Sequence, residues 1–320
     1  MKNSSKFSLK LIIFRMIAFV FAMMFIFIMV EFFLRMVPIP GVEMLSGVFD
    51  PEINLYKYTP NSKVIKINSR NERIVRKVNS QGYLDKEHAV KKQKGISRIG
   101  FFGDSYVVSR QVFLEKTFFR LIETQLSDEK VETMAFGRDG HGMLHAAMKS
   151  KKYSKDFNLD MVVYVFCEND VGDQIAEIKQ YPLLPYAELK NNEIFVNDSL
   201  LRSHLKSQKR GVVDKLKKIL FYNHSILMQT VYRRVNLLRQ HGISLSTKES
   251  DFNMSSKADA NKPPSSTDLP STWNARYKKE ALSVAQSVLL DWYKDVNKDA
   301  KNFAVLYIPR ESEWEKKESE

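Results

Sequence analysis

"RIGFFGDSYVVSRQ" (Arg98–Gln111) decides how this chain is read. A short apolar run enters a Gly-Asp-Ser turn. A strand that ends this way puts the Ser105 hydroxyl at the carboxyl edge of a sheet, where open α/β folds keep their sites. Two readings compete for Ser105, helix cap and nucleophile. A hydroxyl alone does no chemistry, so the rest of the chain must supply a proton acceptor and donors for a developing oxyanion.

The segments that follow repeat the strand–helix alternation. "ISRIGFF" reads as a strand ending at Gly103, and "KTFFRLIETQLSD" as a helix with Thr117 as N-cap and Phe118, Leu121, Ile122 and Leu126 on one face. "VETMAFG" (Val131–Gly137) reads as a second strand and "HAAMKSKKYSKDF" as a short basic helix. "MVVYVFC" (Met161–Cys167) is a continuous apolar run, as expected of a strand buried on both faces. The alternation predicts an α/β fold, a three-layer α/β/α sandwich around a central parallel sheet. Upstream, "VIKINSRNERIVRKVNSQGYLD" (Val64–Asp85) predicts one or two short strands closing in a turn at Gly82.

Beyond Asp173 the pattern loosens into a basic helical insert, about 180–245. It reads either as a lid lying on a membrane leaflet or, the preferred reading, as a cap packed on the core. Residues of about 246–271 are poor in apolar side chains and are expected to be a disordered loop. An amphipathic helix then carries Leu282, Ala285, Leu289, Trp292 and Val296 on one stripe, and "NFAVLYIP" (Asn302–Pro309) reads as another buried strand.

Composition adds bounds. The chain has 320 residues, of which 44% are hydrophobic, and its single cysteine, Cys167, excludes an internal disulfide. Leu11–Val37 is apolar, with no charge between Met16 and Val30, and is long enough to span a bilayer. Lys2, Lys6, Lys10 and Arg15 precede the span and Arg35 follows it closely, so the N-terminus is expected to stay cytoplasmic. A cleaved signal peptide fits less well, because the run is long and no small-x-small site precedes "PIPG". The expected organisation is a cytoplasmic tip and transmembrane anchor at 1–37, a juxtamembrane linker at 38–63, and the α/β domain at 64–320, periplasmic or extracellular. A net charge of +13 on an exported domain points to anionic lipid or acidic polysaccharide, or to general solubility, and away from nucleic acid.

Each of the three core strands ends in small or polar residues: Gly103-Asp104-Ser105, then "FGRDGHG", then "CEND". In a parallel sheet these ends share one edge. A hydroxyl, a glycine N–H and an Asn amide are what acyl transfer needs. At these positions the sequence resembles the SGNH (GDSL-type) hydrolases: "FFGDSYV" their first block, "AFGRDGHG" the second and "VFCENDV" the third. "VNSQGYLDKE" is similar to an Asn-Ser-x-Gly segment of membrane-anchored members. The resemblance runs from about Val78 to Asp173, and weakly again at "NFAVLYIP". It implies an SGNH/flavodoxin-like sandwich, with Ser105 as nucleophile and first oxyanion N–H, Gly140 as second N–H donor, Asn169 as amide donor and Asp104 in support.

The sequence departs from the family at two places. Cys167 stands where the third block has glycine, and reads as a buried packing residue rather than a second nucleophile. The fifth block, Asp-x-x-His, supplies the family's general base, and no His or Asp follows Pro309 here. On this basis the C-terminal part of the fold is expected to be incomplete. His141 is a weak substitute for the base, "HGMLH" a weaker metal pair, and His88, His145, His204, His224 and His241 read as surface residues. No metal and no cofactor is expected. The function expected is a membrane-anchored serine esterase or O-acyltransferase acting on acyl, plausibly acetyl, esters of envelope glycans or lipids. The alternatives are an inactive relative that binds or scaffolds, and a truncated gene product.

Overall fold

The computed structural model describes residues 3–36, 47–68, 70, 72–179, 181–191, 193–208, 225, 227, 228, 231, 275–299 and 301–309. Most of the basic insert and all of the 246–271 segment lie outside these residues, as do His224 and His241. The chain divides into two units, Met1–Met44 with Gly211–Lys248, and Leu45–Arg210 with Glu249–Glu320.

In the first unit, α1 (Asn3–Met36) is one helix. Its Leu11–Leu34 stretch has a mean hydropathy of 2.7 and is long and apolar enough to cross a membrane. Glu31, near the end of that stretch, accepts hydrogen bonds from Ser225 Oγ at 2.9 Å and Leu227 N at 3.0 Å.

The second unit opens with two antiparallel pairs, β1 (Gly47–Asp50) with β2 (Leu55–Tyr58) and β3 (Lys63–Ile67) with β4 (Arg73–Lys77). Residues 47–58 are therefore folded structure and not linker: Ile53, Leu55 and Tyr58 are buried. Their Pro- and Asn-rich surroundings conceal these three anchors. The turn expected at Gly82 is present, with φ at +91° and a Tyr58 carbonyl 2.7 Å from where a Cβ would lie.

Next come β5 (Ser97–Gly103), α2 (Ser105–Val108), α3 (Phe118–Gln125), β6 (Val131–Gly137), α4 (Met143–Asp156) and β7 (Met161–Phe166). Short helices α5 (Asp170–Asp173) and α6 (Ala176–Lys179) follow, then a hairpin of β8 (Tyr186–Lys190) and β9 (Glu193–Asn197), then α7 (Ser199–Gln208). The unit ends in α8 (Ala275–Lys298) and β10 (Asn302–Tyr307). The strands β10-β7-β5-β6, in that order, form a four-stranded parallel sheet.

Period-two alternation sends successive side chains to opposite faces. Phe102, Met134, Phe136, Val162 and Tyr164 pack with residues of α4 and α8. Phe101, Ala135, Val163 and Val165 pack with Val107 of α2 and Phe119 of α3. Helices thus cover both faces, which is the expected three-layer arrangement.

Several sequence expectations need correction. On α3 the buried residues are Phe119 and Arg120, while Leu121 and Leu126 are exposed. Thr117 occupies the cap position without capping, its hydroxyl donating instead to Leu114 O at 2.7 Å. On α8 the stripe is Ala281, Val284, Ala285, Val288, Trp292 and Val296, with Leu282 exposed. Strand β10 is not buried on both faces: among the described residues it pairs with β7 alone, and Val305, Leu306 and Tyr307 are exposed.

The amino ends of the sheet close on a buried ionic cluster. His88, expected at the surface, lies with Nδ1 2.7 Å from Glu132 Oε1 and Nε2 3.0 Å from Asp85 Oδ2. Burial alone would lower its pKa, but the two carboxylates win and raise it.

Candidate active site

The site is built on the carboxyl ends of β5, β6 and β7. Parallel register sets Gly103 opposite Gly137, so β5 and β6 end level. Asp104 then turns the chain: its Oδ1 accepts the Tyr106 N–H at 2.9 Å and caps α2. Ser105 is the first residue of α2 and is exposed. Ser105 therefore follows the cap, and Asp104 is the cap.

Asp104 Oδ2 gathers three donors: Ser105 Oγ at 3.3 Å, Cys167 Sγ at 3.2 Å and Asn169 Nδ2 at 3.4 Å. The residues after β5 and β7 thus meet at one carboxylate. Asn169 Nδ2 also donates to Asp173 Oδ2 at 3.2 Å, and Asp173 Oδ1 takes Lys179 Nζ at 2.8 Å. Gly140 approaches the same chain of contacts, since a Cβ built on it would lie 3.7 Å from Lys179 Nζ. Its φ of +72° is a conformation that glycine adopts without strain. Among the described residues, the backbone N–H groups of Ser105 and Gly140 have no hydrogen-bond partner.

Neither histidine of "HGMLH" is at the surface. His145 Nδ1 accepts the Gly142 N–H at 2.9 Å and Nε2 lies 2.9 Å from Pro185 O, so both ring nitrogens are committed. Burial pushes its pKa down to about 3. His141 packs against His145 with ring centroids 5.0 Å apart, and its Nδ1 has no partner. Burial first, then the nearby Lys149, lower its pKa well below the ordinary value, leaving a neutral imidazole.

Lys149 is the residue that the sequence reading missed. It lies in the segment read as a short basic helix, yet it is 1% exposed. Nζ donates to Gly103 O at 3.1 Å and Phe136 O at 2.6 Å, tying β5 to β6 just before the Asp104 turn. The available signal was its spacing: Ala146, Lys149 and Tyr153 fall on one helical face, and the other two are apolar.

Burial lowers the Lys149 pKa to about 7, against an ordinary 10.5. The unfolded chain therefore binds one more proton than the folded one between those values, and stability should rise with pH across that window. Denaturation midpoints measured at pH 7 and pH 10 should show a gain of a few kcal/mol that Lys149→Met lacks. Equal slopes for the two proteins would remove Lys149 as its source.

No family model matches the chain, and no curated protein matches it. Among solved structures, a carbohydrate acetylesterase family member from Sinorhizobium meliloti is similar at 14% identity, over 66% of this chain and 83% of that one. The TM-score is 0.24, so this likeness carries no weight for the site.

Proposed function

We propose that the α/β unit is an SGNH-type acyl-ester hydrolase, or an O-acyltransferase of the same mechanism. The observation that carries this reading is the meeting of Ser105 and Asn169 on Asp104 Oδ2. It supports the three-block resemblance, because the resemblance requires those two strand ends to converge. Ser105 Oγ attacks the ester carbonyl carbon and gives up its proton to a base. The N–H groups of Ser105 and Gly140, together with the Asn169 amide, hold the oxyanion. Collapse of the tetrahedral intermediate expels the alcohol and leaves an acyl-serine, which water or an acceptor hydroxyl then takes.

Two demands follow. Asn169 must redirect an N–H now given to Asp104 or Asp173. The base is a group other than His145, whose nitrogens are both used. In this proposal α1 anchors the chain, with its N-terminus cytoplasmic and the α/β unit outside, where acyl esters of envelope glycans or lipids are the substrate class.

The test is turnover of p-nitrophenyl acetate by the full chain in detergent, with fluorophosphonate labelling of serine. Wild type should label and turn over, and Ser105→Ala should lose at least about a thousandfold in rate and all labelling. A second reading, a glycan-binding relative without turnover, is favoured by the Asn169 amide being committed to two carboxylates. Equal, background rates for wild type and Ser105→Ala would select it.

A further inference from the structure

Beneath Ser105 lies a cluster that the hydrolase reading does not use in full. Asp104, Cys167 and Asp170 are all buried, and each offers one donor atom within 4.8 Å of the other two. Asp104 closes β5, and Cys167 and Asp170 stand three residues apart just after β7, the strand paired with it. Two carboxyl groups and a thiol packed together out of water repel one another when ionised.

We propose that Asp104, Cys167 and Asp170 form a binding site for a divalent transition cation of the zinc class. Three observations carry this. First, Cys167 Sγ lies 3.2 Å from Asp104 Oδ2. Thiolate and carboxylate ligands of one tetrahedral zinc stand about 3.5 Å apart, given bonds of about 2.3 and 2.0 Å. Second, Asp170 is 0% exposed and its Oδ1 has no hydrogen-bond partner, which leaves a buried acceptor with nothing to accept.

Third, hydrogen bonds from outside the cluster hold both carboxyl groups in place, as an outer shell does, with Asp104 Oδ2 itself also taking Ser105 Oγ and Asn169 Nδ2. Asp170 Oδ2 takes Tyr164 OH at 2.7 Å and Cys167 N at 3.2 Å, and Asp104 Oδ1 takes Tyr106 N. A mixed thiolate and carboxylate set suits zinc better than magnesium or calcium, which prefer oxygen alone. The three ionised ligands and a divalent cation sum to one negative charge. The site goes beyond the hydrolase reading and does not depend on it.

The test uses the full chain in detergent, stripped with chelator and titrated with Zn2+ by calorimetry and with Co2+ by absorbance. One equivalent of Zn2+ should bind and raise the thermal midpoint, while Mg2+ does neither. Co2+ should give a thiolate charge-transfer band, which can come only from Cys167, the single cysteine. Cys167→Ser should lose the band, and Asp170→Asn should weaken Zn2+ binding by more than the about 10–100-fold of an outer-shell loss. The wild-type band and midpoint shift do not depend on whether either variant folds. Absence of the band in wild type would overturn the proposal and leave a neutral, hydrogen-bonded packing cluster.

Discussion

Arg98→Met should cost the α/β unit about 3 kcal/mol, because it removes a buried guanidinium and the charge-assisted hydrogen bonds it donates. Arg98 is 2% exposed. Its Nε donates to Glu132 Oε2 at 2.7 Å, Nη1 to Phe157 O at 2.8 Å and Val90 O at 3.1 Å, and Nη2 to Ala89 O at 2.7 Å. One guanidinium thus joins β5, β6, the end of α4 and the segment entering β5. Burial works against ionised Glu132, but His88 and Arg98 outweigh it and hold the carboxyl at about 2. Methionine fills much of the volume and supplies none of the donors, so the half-buried Glu132 carboxylate keeps His88 but loses Arg98, and three carbonyls lose a donor.

The measurement is chemical denaturation followed by tryptophan fluorescence. Lys92→Met serves as the control, because the Lys92–Asp160 pair is solvent-exposed and should be worth no more than about 1 kcal/mol. Arg98→Met together with Glu132→Leu should recover part of the loss, since apolar packing often replaces a buried pair without cost. A change below about 1 kcal/mol for Arg98→Met would show that the cluster is not what closes the sheet.

The strands of the sheet were legible because each is an apolar run stopped by glycine or a polar turn. Gly103 ends β5 and Gly137 ends β6, as expected, and β7 stops one residue short of the expected Cys167. Convergence of Ser105 and Asn169 was legible for the same reason, since parallel strands bring their carboxyl ends to one edge. What misled the reading of α3 was Arg120. A charged residue on the inner face breaks the apolar period, and here it is buried against β6 and Asp85. His88 and His145 were misjudged, and Lys149 passed over, on similar grounds. Their partners are Glu132, Pro185 and Phe136, which are 44, 40 and 13 residues away in the chain. A one-dimensional pattern reports periodicity, and it cannot report which distant carbonyl or carboxylate satisfies a buried charge.

Gly137→Ala should damage the site more than its one methyl group suggests. A Cβ at Gly137 would lie 2.5 Å from Val108 N and 2.8 Å from Val107 C. Both are backbone atoms of α2, so no rotamer change relieves the clash. Either α2 moves away from β6 or β6 bends, and the register of Gly103 with Gly137 couples that movement to the Asp104 turn. Overpacking of this kind costs about 1–3 kcal/mol in stability. The larger effect falls on Ser105, which is the first residue of α2. If it acts as the nucleophile, a displacement near 1 Å should lower the rate by about 100-fold, with fluorophosphonate labelling slowed in parallel. Gly95→Ala separates local strain from displacement of the site. Its φ is +80°, so alanine is strained there too, but no atom lies within 4 Å of the added carbon. Gly95→Ala should lose about 1 kcal/mol in stability and keep the wild-type rate. Comparable rates for Gly137→Ala and Gly95→Ala would mean that the fit of α2 against the end of β6 does not set the position of Ser105.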